Sequence, residues 1–410
     1  MSEEHKDWAA VPGGITAPQG FKAAGVVAQV RKKGRRDLAL ICSEVPAVAA
    51  GLFTRNLVKA APVILSQEHL AGGRAQAIVV NSGIANAYMG AQGMADARRM
   101  ASVTAESLGV PVADVVVAST GVIGEPLPIA KIEKGIRDAA VNLTRDGGGD
   151  AAEAIMTTDT ALKEYALRFN PDDGAGPAVT IGGIAKGSGM IHPNMATMLS
   201  FLTTDAVIDR VALDAALRYA ADRSYNAVTI DGDTSTNDMV VILANGLAGN
   251  APITADSAGF EAFRDALKAV CVELAKMIAH DGEGATKYME VQVRGAQNEQ
   301  GALQIARTIA RSNLVKAALF GEDANWGRII TAAGYSGVLF DPERVTIWIG
   351  DLKMADGGTG LDFDEERAKE ILDGREIEIS LDLHQGDAGG VAWGCDLSYD
   401  YVRINANYRT

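Results

Sequence analysis

Short apolar runs and helical periodicities interleave along the chain. Residues 75–80, 115–118, 178–181 and 239–243 are compact apolar stretches bounded by polar or glycine positions, and they read as strands. Between them the spacing changes to three and four. Phe260, Phe263, Leu267, Cys271, Leu274 and Ile278 predict a helix over 258–280 with one buried face, and a second helix is expected over 94–108 with Gly109 placed for a left-handed cap. This alternation predicts a mixed α/β architecture. Near the end, 376–383 and 391–398 alternate apolar and polar residues around a glycine-rich connection, which predicts an antiparallel hairpin. The polar, glycine-rich segments 146–150 and 170–176 read as loops, and no repeat of fixed period is present.

Bulk properties narrow the function classes. A chain of 410 residues has room for two or three domains, and 48% hydrophobic with 22% charged residues is the balance of a globular protein. A formal net charge of −14 repels phosphate backbones and predicts no nucleic-acid partner. The one dense basic run, Arg31-Lys32-Lys33-Gly34-Arg35-Arg36, reads as a solvated turn between apolar stretches. No apolar run approaches the roughly 18 residues of a membrane helix, and the first residues lack the basic start of a secretory signal. Three scattered cysteines, without metal-ligand spacing, point to a reducing, cytoplasmic setting and to no bound metal.

Candidate chemistry concentrates in 181–199, a strand, a glycine-rich bend and a second apolar strand. Gly187, Gly189 and Pro193 impose an unusual backbone path shortly before Thr197. A threonine hydroxyl is a weak nucleophile without a base, and cleavage of the Ala196–Thr197 bond would place a new α-amine on the same residue. Taken alone, the segment reads rather as an ordinary turn with Thr197 as a half-buried strand residue. Competing motifs fail. Lys186-Gly187-Ser188 has the wrong order for a phosphate loop, no dinucleotide fingerprint follows a strand, and Gly334-Tyr335-Ser336-Gly337-Val338 breaks the hydrolase elbow. His192 invites a triad but has no matched acid, and Asp231 to Asp238 lacks the sixth-position glycine and late glutamate of a calcium loop.

The stretch from Lys186 to Leu199 resembles the self-cleavage site of the ornithine acetyltransferases, bifunctional glutamate N-acetyltransferases of arginine biosynthesis. The likeness extends to Pro12 to Phe21, Asn81 to Ala87, Ser119 to Gly124, Asp231 to Asp238 and Asn405 to Thr410. It implies a layered α/β sandwich of the self-processing, DmpA-like type, cut into an α chain (1–196) and a β chain (197–410). It further implies a ping-pong transfer of acetyl from N2-acetylornithine to glutamate through an ester on Thr197. On the same ground Thr120, by its hydroxyl, and Gly121, by its backbone N–H, are the expected oxyanion donors. Lys186 is expected at the substrate α-carboxylate, Glu283 at the terminal ammonium of ornithine, and Thr157, Asn405 and Thr410 at other substrate contacts. The last two require the C-terminus to fold back. No cofactor is implied, acetyl-CoA is left open as a second donor, and the family implies a heterotetramer of two α and two β chains. The rivals are a self-processing amidase or aminopeptidase, in which water accepts the acyl group, and an uncleaved binding protein.

Overall fold

The computed structural model describes residues 8–31, 34–172, 176–192 and 198–407. These form two compact units. The first gathers the chain up to Gly187 with 193–226 and 234–274, and the second holds 188–192, 227–233 and 275–410.

The strands, in chain order, are β1 (Ala9–Ala10), β2 (Phe21–Val26), β3 (Leu38–Phe53), β4 (Arg74–Asn81), β5 (Val115–Ser119), β6 (Lys163–Phe169), β7 (Val179–Lys186), β8 (Leu199–Thr204), β9 (Val228–Thr229), which belongs to the second unit, and β10 (Met239–Ala244). Among the described residues the first unit is built on a nine-stranded mixed sheet in the order β1-β6-β7-β8-β10-β3-β4-β5, with β2 on β3. The expected strands at 75–80, 115–118 and 239–243 are β4, β5 and β10, and the one at 178–181 extends to Lys186. Their near-continuous Val, Ile and Ala content follows from burial on both faces. Ile78, Val80 and Val116 enter one core and Ala77, Val79 and Val117 the other. The helix Gly90–Leu108 ends on Gly109, whose φ of 69° is the left-handed cap expected there. The basic run lies on the connection between β2 and β3, which pair antiparallel from Val26↔Leu38, and Lys32 and Lys33 lie outside the described residues.

The second unit adds β11 (Tyr288–Ala296), β12 (Thr346–Ile349), β13 (Leu352–Asp356), β14 (Thr359–Gly360), β15 (Glu376–Asp382) and β16 (Ala388–Cys395), in the order β14-β13-β12-β15-β11-β16-β9. Its core packs the helices Glu299–Arg311 and Trp326–Gly334 on one face of that sheet.

Two expectations are corrected. The hairpin between 376–383 and 391–398 does not form, because β11 inserts between β15 and β16, parallel to the first and antiparallel to the second. Alternation fixes which face of a strand is buried and leaves its neighbour open. Segment 146–150 is not wholly loop, since a helix starts at Gly148 and runs to Ala154. Its glycines allow close packing: a Cβ on Gly148 would stand 2.7 Å from the Gly13 carbonyl oxygen. Among the described residues no helix is long and apolar enough to cross a membrane, and no cluster of His, Cys, Asp and Glu is arranged to hold a metal ion.

Candidate active site

In the first unit the site is built at the C-terminal ends of the parallel strands β4 and β5, paired from Ala77↔Val115 to Asn81↔Ser119. Each strand runs into a tight turn, and the two turns hold one another. Thr120 N–H donates to Asn81 O (3.0 Å) and Val122 N–H to Gly83 O (3.2 Å). Gly121 has φ +127°, and a Cβ there would stand 2.3 Å from the Gly83 carbonyl carbon, so no other residue fits. Ser119 Oγ accepts from Asn86 N (2.9 Å) and donates to Ile84 O (3.1 Å), while Asn237 Nδ2 donates to Ser119 O (2.8 Å). Fixed in this way, Gly121 N–H meets no acceptor among the described residues. A donor held without a partner beside a threonine hydroxyl is the arrangement an oxyanion requires.

Lys186, the last residue of β7, is buried and donates from Nζ to Thr120 Oγ1 (3.4 Å). Next to it lies Asp159. Its Oδ1 accepts from Lys163 Nζ (2.8 Å) and Gly187 N (2.7 Å), and its Oδ2 from Thr157 N (3.0 Å). Burial alone would raise the Asp159 carboxyl, but the Lys186 and Lys163 charges and the donated bonds outweigh it, and it is held well below the ordinary carboxylate range. Asp238 is the opposite case. Burial pushes it well above that range, with Ser235 and Lys186 offsetting only part, and its Oδ2 has no hydrogen-bond partner among the described residues.

A second cluster lies within the second unit, on the loop after the helix Gly259–His280. Glu283 N–H donates to Ser188 O (2.8 Å), and Ser188 Oγ donates to Asp281 O (2.6 Å). The Glu283 carboxylate lies over Gly189, where a Cβ would stand 2.3 Å from Oε2. Asn405, on the C-terminal helix Tyr399–Ala406, donates from Nδ2 to Glu283 Oε2 (2.8 Å). Ser398 caps that helix and donates from Oγ to Gly284 O (2.5 Å). Tyr401 OH donates to Asp231 Oδ2 (3.2 Å), whose carboxylate also accepts Met190 N (2.6 Å) and Ile191 N (2.9 Å). Burial and the Asp231 and Glu283 carboxylates raise the Tyr401 hydroxyl above its usual value. His192 Nδ1 is bonded to Thr229 Oγ1 (3.1 Å), and burial together with Arg307 and Arg311 lowers its pKa to about 4. The ring is therefore neutral near pH 7.

The sequence-derived residues thus fall into two groups. Thr120, Gly121, Thr157 and Lys186 gather around Asp159 in the first unit, and Glu283 and Asn405 meet in the second. Thr157 enters through its backbone, donating from N–H to Asp159 and accepting at its carbonyl from Arg35 Nη1 (3.3 Å). Ala196, Thr197 and Thr410 lie outside the described residues. Nearest to Thr197 in the chain, Met198 O accepts from Met239 N (3.1 Å), and Leu199 pairs with both Lys186 and Met239. Asp231 to Asp238 acts as backbone-bonded loop: Asp231 serves Met190 and Ile191, Asn237 serves Ser119. Sequence reasoning missed Asp159, Lys163, Asp238 and Tyr401. Lys163 opens an amphipathic strand, a position that normally faces solvent, and gave no sign of burial.

The model of the ArgJ family matches residues 22–410. The arginine biosynthesis bifunctional protein ArgJ of Symbiobacterium thermophilum is 57% identical over 406 residues, spanning 98% of this chain and 100% of that protein. Its counterpart in Thermotoga neapolitana is 54% identical over 399 residues, 96% and 99% of the two chains. The solved structure of ornithine acetyltransferase complexed with ornithine from Mycobacterium tuberculosis is 42% identical, covers 46% of this chain and 100% of that one, and has a TM-score of 0.43. With the family model matched over nearly all of its length and relatives above 50% identity end to end, the chain belongs to the ArgJ family.

Proposed function

We propose that the protein transfers an acetyl group from N2-acetylornithine to glutamate in arginine biosynthesis, through an acetyl ester on Thr197. The observation that carries this reading is the donor pair at the end of β5: Thr120 with its hydroxyl oxygen bonded by Lys186, and Gly121 with an N–H that meets no acceptor among the described residues. Family membership over nearly the whole chain supports the choice of substrates.

Cleavage between Ala196 and Thr197 frees an α-amine, whose reference pKa of about 7.7–8.0 suits a general base at neutral pH. Thr197 Oγ attacks the acetyl carbonyl while that amine takes the hydroxyl proton. The tetrahedral oxyanion rests on Thr120 and Gly121, the C–N bond breaks, and ornithine leaves with the proton on its α-amine. Glutamate then repeats the sequence in reverse, its α-amine attacking the ester carbonyl and Thr197 leaving as the hydroxyl. Lys186 answers the substrate α-carboxylate, Glu283 the terminal ammonium of ornithine, and Thr157, Asn405 and Thr410 complete the substrate contacts. No cofactor enters this scheme. Acetyl-CoA is a second donor to be tested in place of N2-acetylornithine. The three cysteines carry no disulfide, which supports action in the cytoplasm. Assembly of two copies of each cleaved half belongs to the same proposal and is read by native mass.

The test is intact-mass analysis of denatured protein after brief exposure to N2-acetylornithine, with product analysis with and without glutamate. The expected result is a fragment beginning at Thr197 and heavier by one acetyl group, with N-acetylglutamate formed when glutamate is present. Acetate released at the same rate without N-acetylglutamate would make the protein an amidase. A single uncut, unacetylated chain that still turns over would overturn the mechanism.

A further inference from the structure

We infer that Asp159, paired with Lys163, is a positioning residue of the acyl-transfer site, holding Lys186 and the Gly187 backbone so that Thr120 presents its hydroxyl proton to the reacting oxygen. This rests on the reading of Thr120 as an oxyanion donor.

The pair is fully buried, with side-chain exposures of 1% and 0%. Burying two charges costs several kcal/mol of desolvation, which their attraction offsets only when further hydrogen bonds satisfy both partners. Asp159 meets that condition in a particular way. Its oxygens collect Lys163 Nζ, Gly187 N and Thr157 N, joining the start of β6, the residue after β7 and the loop leading from the helix Gly148–Ala154. The Gly187 bond fixes the backbone next to Lys186, whose Nζ bonds Thr120 Oγ1. An ammonium has no acceptor capacity, so in that contact Thr120 must accept, and its own proton is turned elsewhere.

Another buried carboxylate of the same unit isolates what is unusual here. Asp205 clamps two backbone N–H groups, of Thr180 (2.8 Å) and Gln19 (3.1 Å), and among the described residues no lysine pairs with it, only the more distant Arg168 charge acting on it. A backbone clamp therefore requires no lysine, yet Asp159 has two beside it. The charges explain why. Lys163 neutralises Asp159, and Asp238, pushed by burial toward its neutral acid, contributes little. With Lys186 and Lys163 both acting on one carboxylate, one positive charge is left over, in a buried site beside the donor hydroxyl. Losing Asp159 would let Lys186 and Gly187 drift, and displacement of about 1 Å in such a site costs roughly 10²-fold in rate.

The experiment compares wild type, Asp159→Asn, the double variant Asp159→Asn/Lys163→Met, Thr120→Ala, and the last two combined, in kcat, KM and melting temperature. Asp159→Asn leaves the buried Lys163 charge without a carboxylate opposite it, and both stability and kcat should fall. The double variant removes both charges. Its melting temperature should return toward wild type while kcat stays lower by roughly 10²-fold, with KM rising only as far as Lys186, which also meets the substrate α-carboxylate, is displaced. If the pair acts through Thr120, adding the double change to Thr120→Ala should lower kcat little further. Recovery of kcat together with melting temperature, or fully multiplicative losses in the combined variant, overturns the inference. Should the double variant not fold, Lys163→Met alone leaves Asp159 to the Lys186 charge and should lower kcat; wild-type kcat there also overturns the inference. Failure of the transferase reading looks different, because wild type itself would then form no N-acetylglutamate.

Discussion

The two clusters are made by different means. In the first unit, Thr120 and Gly121 sit where the buried, paired stretches of two parallel strands end, and their geometry is set by backbone contacts tight enough to exclude a Cβ. In the second, Glu283 and Asn405 meet through side chains, one on a loop and the other on the last helix of the described chain. On the proposed reading, the difference teaches a division of labour. Donors for a transition state must not reorganise, so they are cut from rigid sheet. A group that meets the variable end of an amino acid tolerates a looser mounting.

If that division holds, changes at Thr120 and Gly121 should act on kcat and stability, and changes at Glu283 and Asn405 on KM. Gly121→Ala should have the largest effect. With φ at +127° and Gly83 at 2.3 Å, the strand ends must separate, at roughly 3 kcal/mol or more, and both the melting temperature and activity should collapse. A variant that melts like wild type would show that the turn is not tight. Thr120→Ala should fold normally and lose about 10²–10³-fold in kcat, and a fall in melting temperature as severe as the fall in rate would mark the residue as structural. Glu283→Gln removes a charge-assisted contact. KM for N2-acetylornithine should rise roughly tenfold, with kcat within a few-fold, and a kcat-only effect would break the comparison.

The smallest effects are in pH dependence, where the units should have opposite signs. The folded pKa of His192 lies below its unfolded value, falling from 6.5 to about 4. Its contribution is therefore complete above about pH 6.5 and lost on acidification toward 4, by about 1–2 kcal/mol after allowance for partial exposure. His192→Asn should flatten that loss in thermal melts. Asp238 is raised on folding, so the native state binds the extra proton and stability declines as pH rises above about 4. Asp238→Asn should gain melting temperature relative to wild type at pH 8 and gain least near pH 4. Parallel slopes for the two variants would contradict the assignment.

Much of this was legible in advance where local pattern dictates structure. The Val- and Ile-rich runs of β4 and β5, the periodicity of Gly259–His280 and the glycines after β5 follow from burial and steric demands that act within a few residues. Long-range partnership was not legible. β11 begins 88 residues before β15 and still separates it from β16, and alternation carries no address. The Asp159–Lys163 pair escaped for a related reason. A charge reads as solvent-facing until tertiary structure supplies its partners, and Gly187 N, one of those partners, is 28 positions away. Thr120 and Gly121 stood out only through resemblance, since a strand followed by a glycine turn is common.

β7 and β8 are neighbours in one ladder, paired from Lys186↔Leu199 to Ile181↔Thr204, and the connection of residues 187–198 joins them. A break in that connection would leave six paired positions intact and would change the order of the folding reaction rather than its product. Renaturation of the intact chain is unimolecular. Renaturation of severed protein would be a second-order encounter, slowing in proportion as the solution is diluted.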